Sequence, residues 1–269
     1  MSPESFLPAL SAVIQALFLV LSVYIYVALI RQISVRAADP AAATIRNFGW
    51  PEAVLAALLF FWLLRLAGLS SEHAAKMGTR DLIASGILTI GLLLFVAIFL
   101  RLRRIDLNLL GGFSKIGFWR TATTGVVLMV AAYPLILLAD VLTQKLLRGG
   151  NDRQAIIDLF NASNTLEQRI LIIVLAVTIA PVAEEFLFRF FLYGVVKRYL
   201  GRVVGIVVSA LLFAAVHAHL PSFAPLFVLG ACFAIAYEWS GSILVSMTMH
   251  AFFNAITLTA LAFPELNPP

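Results

Sequence analysis

Eight apolar runs separated by short polar linkers govern what this chain can become: roughly residues 7–30, 52–69, 82–100, 121–142, 169–196, 203–219, 222–238 and 242–262. A bilayer core takes about 20 apolar residues per helical crossing. Hydrocarbon offers nothing to an open backbone N–H or C=O, so these segments satisfy their own backbones as helices. The expected fold is all-α, a polytopic membrane bundle of about eight transmembrane helices.

Composition agrees. The 269 residues are 62% hydrophobic and only 12% charged, where a soluble domain carries about 25% charged residues. The formal charge of +5 gathers between the apolar runs, the pattern of membrane-flanking cations. The expected partner is therefore the lipid bilayer, and not nucleic acid. A single cysteine, Cys232, lies in an apolar run. It excludes an internal disulfide and a multi-cysteine metal cage, and it reads as a buried inert thiol. The first run lacks a basic leader and outlasts a signal-peptide core, so a retained span is expected.

Counting Lys and Arg in alternating linkers puts eleven on one side and five on the other. The positive-inside rule then places both termini outside and the Lys197–Arg202 turn in the cytoplasm. Residues 1–168 read as N-terminal transmembrane helices with interfacial linkers, and 169–262 as the helices of the same integral domain that carry the candidate catalytic residues described next. Between them, Gln154 to Phe160 has helical periodicity and is expected as a surface helix. The basic stretch from Arg101 to Arg120 reads as an interfacial anchor, and Glu238 as a solvent-exposed carboxylate near a helix end.

Against this background Glu184 and Glu185 stand out, because ionisable groups at membrane depth are costly unless paired or set in a polar cavity. Glu185 and Arg189 are at i and i+4, on one helix face, so they are expected to pair. Glu184 projects about 100° away and is free to face a neighbour. Glu184 lies sixteen residues before Leu200 and His217 sixteen after Gly201. Equal distances from a hairpin turn mean equal depth, about 20 Å from the cytoplasmic edge at 1.5 Å per residue.

His250 and Asn254 are again i and i+4. A histidine and an amide in one groove supply a proton carrier, or donors for a developing oxyanion. Glu184 as base, His217 holding water, and His250 with Asn254 on the oxyanion together make the ingredients for splitting an amide. Phe213 is expected to pack beside the site and His219 to lie at the interface.

Glu184–Glu185–x–x–x–Arg189, Phe213–x–x–x–His217 and His250–x–x–x–Asn254 resemble the three motifs of the CPBP family. That family comprises type II CAAX prenyl endopeptidases and the bacteriocin-processing and self-immunity (Abi) proteins. The resemblance covers about Arg169 to Leu258. It implies an intramembrane endopeptidase acting near the cytoplasmic face on a peptide or protein substrate, lipidated in some members. It assigns Glu184 and His217 to water activation, His250 and Asn254 to the oxyanion, and Glu185 with Arg189 to support.

Glu184, His217 and His250 are also a carboxylate-plus-two-histidine donor set for zinc. The lack of a His-Glu-x-x-His motif, together with the resemblance, favours hydrolysis without metal or other cofactor. A non-enzymatic alternative, an immunity scaffold or a proton-coupled transporter, would use the same polar cluster for binding. Transport predicts interrupted helices in both halves of a repeat, whereas the polar residues here concentrate in the last third.

Overall fold

A computed structural model describes residues 3–37, 48–70, 78–147, 159–160, 163 and 165–263. Among these residues the regular elements are all helical: α1 (Pro3–Ala37), α2 (Trp50–Ser70), α3 (Thr79–Leu102), α4 (Leu107–Gly111), α5 (Phe118–Leu146), α6 (Leu166–Leu200), α7 (Arg202–Val216), α8 (Phe223–Ser240) and α9 (Ile243–Ala262). The protein is a polytopic membrane bundle. Among the described residues six helices, α1, α3, α5, α6, α8 and α9, are long and apolar enough to cross a bilayer.

All eight expected runs are helical, but α7 has only 15 residues, short of the roughly 20 that a span uses. It stops at Val216 because Ala218 takes a left-handed φ of 49° and Pro221 follows, ending the helical register. His217 therefore caps α7 instead of lying within it.

The bundle is built around α8, which packs against α7, α5, α9 and α1. Leu229, Phe233 and Tyr237 along it are almost wholly buried. The outer helices α1 and α3 turn large apolar side chains outward, among them Leu17, Val20, Ile87 and Leu88. Such faces are stable only against lipid. At Gly125, an added Cβ would meet Thr248 Cβ at 2.6 Å, so the missing side chain lets α5 and α9 approach closely.

Two clusters lock the helix ends. Glu52 accepts from Arg103 Nε at 2.9 Å and from its own cap, Gly49 N, at 2.6 Å, tying α2 to the end of α3. Glu238 is the exception to the expected exposed carboxylate, since its side chain is only 8% exposed. Tyr193 Oη donates to it at 2.7 Å and Arg202 Nε at 3.1 Å, with Lys197 as a third donor. The basic turn between α6 and α7 folds over the end of α8 and encloses it.

Residues 154–158 of the expected surface helix lie outside the described residues. Leu159 and Phe160 are helical and buried against Leu82, Ile172, Ala176 and Leu258.

Candidate active site

α6 is not one regular helix. Five-residue-reach turns occupy Leu175–Ile179 and Phe186–Leu192, on either side of an α-helical stretch, Ala180–Glu185. Such wide turns are rare and concentrate at functional positions. The stretch between them carries Glu184 and Glu185.

Glu185 and Arg189 are both fully buried and pair through Oε1 and Nη1 at 2.8 Å, as their i, i+4 spacing predicts. Arg189 also donates through Nη2 to the Gly230 carbonyl at 3.3 Å. Its guanidinium carbon lies 4.3 Å from the Phe213 ring centroid and 5.1 Å from that of Phe233. Ion pair, carbonyl and aromatic faces together compensate a charge that would be prohibitive alone.

Two histidines converge from other helices. On α9, His250 is 3.0 Å from Glu185 Oε1 through Nδ1. Its ring stacks on Phe233 at 5.1 Å and meets Phe213 edge-on at 5.6 Å. At the end of α7, His217 Nδ1 is 2.6 Å from the Phe213 carbonyl. A carbonyl only accepts, so His217 carries its proton on Nδ1 and keeps a lone pair on Nε2. In its neutral form His250 has the same tautomer, because a carboxylate likewise only accepts.

Glu184 Oε2 is buried, accepts no hydrogen bond within the chain, and lies 3.9 Å from His250 Nε2. Glu184, His217, His250 and Asn254 all line one cavity of about 260 Å³, whose remaining wall is mainly apolar, with Leu226, Leu229 and Phe253 among it. Glu185 and Arg189 lie behind it. Phe213 separates them from His217, packing 4.8 Å from that ring, while His219 turns to Ser222 Oγ at 2.7 Å.

Asn254 Nδ2 donates to the Ala176 carbonyl at 2.7 Å, leaving its second N–H for the cavity. The sequence offered no sign of the Glu185–His250 contact, nor of the Gly230 carbonyl as an Arg189 partner. A metal would need the carboxylate and both imidazoles drawn together on one point. Among the described residues no group of three or more His, Cys, Asp or Glu side chains is so gathered.

A family model described as type II CAAX prenyl endopeptidase Rce1-like matches residues 166–256. Over that stretch, less than half of the chain, the sequence is similar to that family. The Rce1-like segment runs from the start of α6 into α9 and contains all six residues singled out above. No curated protein and no solved structure gives a significant match. That similarity supports a CAAX-type endopeptidase acting on peptides from within the membrane.

Proposed function

We infer that the cavity hydrolyses a peptide bond by glutamate-activated water, without a metal. The observation that carries this is the gap between Glu184 Oε2 and His250 Nε2. At 3.9 Å it is too long for a direct hydrogen bond, so Glu184 Oε2 keeps its lone pairs for the cavity that His217 and His250 also line.

The chemistry then follows from hydrogen-bond roles. Glu184 takes one proton of the water as its oxygen bonds to the scissile carbonyl carbon. His217 Nε2, a lone pair, accepts the water's other hydrogen. The carbonyl oxygen becomes an oxyanion, and the free N–H of Asn254 donates to it. His250 joins as a donor in its protonated form, whose charge Glu185 neutralises from Nδ1. As the tetrahedral carbon collapses, Glu184 passes its proton to the leaving amine nitrogen and the C–N bond breaks. Arg189 holds Glu185 in place throughout.

The substrate is a membrane-associated peptide tail, lipidated or plain, reaching the site from the cytoplasmic side. Counted over eight crossings, the eleven-to-five bias of basic residues supports that orientation, and the apolar cavity wall suits an apolar peptide side chain.

The test compares the wild type with Glu184→Gln, His217→Ala and His250→Ala, each checked for folding in detergent. The readout is cleavage of prenylated and unprenylated tail peptides, with and without a chelator. Loss of cleavage in Glu184→Gln, with chelator-insensitive activity in the wild type, supports this reading. Equal cleavage by wild type and Glu184→Gln rejects it, and loss on chelation rejects the metal-free route. A wild type that binds the peptides without cutting them supports the scaffold alternative.

A further inference from the structure

Asn254 has a second task that its place in a catalytic motif conceals. In the wide turn Leu175–Ile179, the Ala180 N–H donates to the Leu175 carbonyl, five residues back. Carried one residue on, this register assigns the Ala176 carbonyl to the N–H of residue 181. That residue is Pro181, which has none. The Ala180 donor is already engaged by Leu175, so α6 leaves the Ala176 carbonyl without a backbone partner. In a bilayer interior that acceptor must find a partner elsewhere.

The partner comes from another helix. Asn254 Nδ2 reaches the Ala176 carbonyl at 2.7 Å. One turn earlier on the same face of α9, His250 Nδ1 holds Glu185 Oε1 at 3.0 Å. α9 is thus fastened to α6 at two points, and Glu184 lies between them in sequence, three residues after Pro181.

We propose that Asn254 is a positioning residue: it caps the carbonyl that Pro181 leaves open, and so sets the wide turn that aims Glu184 into the cavity. The proline and the asparagine are two halves of one device. The proline opens an acceptor inside the helix, and the amide uses it to dock α9 in a single register. The second N–H of the same amide remains directed to the substrate. This rests on the hydrolytic role of Glu184 only for its effect on turnover; the cap itself is independent of it.

A double-mutant cycle tests it. Pro181→Ala supplies the missing N–H, so the Ala176 carbonyl no longer needs the side chain. The full-length protein is prepared in detergent as wild type, Pro181→Ala, Asn254→Ala and the double variant, and Tm, kcat and KM are measured on a tail peptide. Asn254→Ala is expected to lower Tm by several degrees and kcat by roughly tenfold or more at nearly constant KM. In the Pro181→Ala background the Tm penalty should shrink to less than half, and part of the lost kcat should return.

Additive Tm penalties would overturn the cap. A restored Tm with no recovery of kcat would overturn the positioning role while leaving the cap. Should Pro181→Ala fail to fold, Asn254→Asp replaces the donor with an acceptor facing a carbonyl. It should lower Tm further than Asn254→Ala, and a wild-type Tm would overturn the proposal. Because Tm is read without turnover, failure of the cap is distinguishable from absence of peptidase activity.

Discussion

His250 Nδ1 lies 3.0 Å from Glu185 Oε1, the same oxygen that accepts from Arg189 Nη1 at 2.8 Å. One carboxylate oxygen thereby joins α9 to Arg189 of α6, and it sets which nitrogen of His250 faces Glu184. Glu185 orients the site without lining the cavity.

That shared oxygen makes Glu185→Gln costly in two ways. A neutral amide leaves Arg189 as an uncompensated buried charge, which should cost about 3–5 kcal/mol, read as a fall in Tm or denaturant midpoint. Adding Arg189→Met should recover a good part of it, because the stranded charge goes too. Stability losses that simply add in the double variant would contradict the coupling.

Glu184→Gln should behave in the opposite way. Glu184 Oε2 has no hydrogen-bond partner in the chain, so the isosteric amide should leave stability within about 0.5 kcal/mol of wild type. Peptide cleavage should fall by about 10²–10⁴-fold, the range supplied by a general base. A parallel loss of stability and activity would mean that Glu184 is structural.

Gly230→Ala tests the wall behind the arginine. A Cβ there would lie 3.2 Å from Ala210 Cα, Arg189 Nη2 and Phe213 Cδ1. Those groups are buried and held by packing, so overfilling should cost about 1–3 kcal/mol. Cleavage should fall with it, because Arg189 must shift away from its partners. A variant as stable as the wild type would show that α7 and α8 can part at this point.

Gly112 offers a test remote from the chemistry. It ends α4 with φ 61°, and an added Cβ would lie 1.9 Å from the Gly241 carbonyl oxygen. Gly112→Ala combines left-handed backbone strain with a clash against rigid backbone, for about 2–4 kcal/mol. Thermal unfolding in detergent reads it directly, and a loss under about 0.5 kcal/mol would refute the close docking of the α4 loop on the α8–α9 turn.

Much of this protein was legible along the chain, and the reason is locality. Continuous apolar runs must be helices in lipid, whatever packs around them. Glu185 and Arg189 pair because four residues bring side chains together on any helix. His217 and Glu184 reach one cavity because depth in a hairpin follows from counting residues away from Gly201.

What the sequence left undecided concerns rotation and contact between helices. Helices apolar all round carry no stripe to mark the inward face, so nothing in the order of residues tied His250 to Glu185. Nor did it enclose Glu238 beneath Tyr193, Lys197 and Arg202. The wide turns of α6 also shift its phase, so angles counted at 100° per residue do not carry across them. Only the packed bundle decided that Asn254 would meet the Ala176 carbonyl, because a hydrogen bond between distant helices exists only once both are in place.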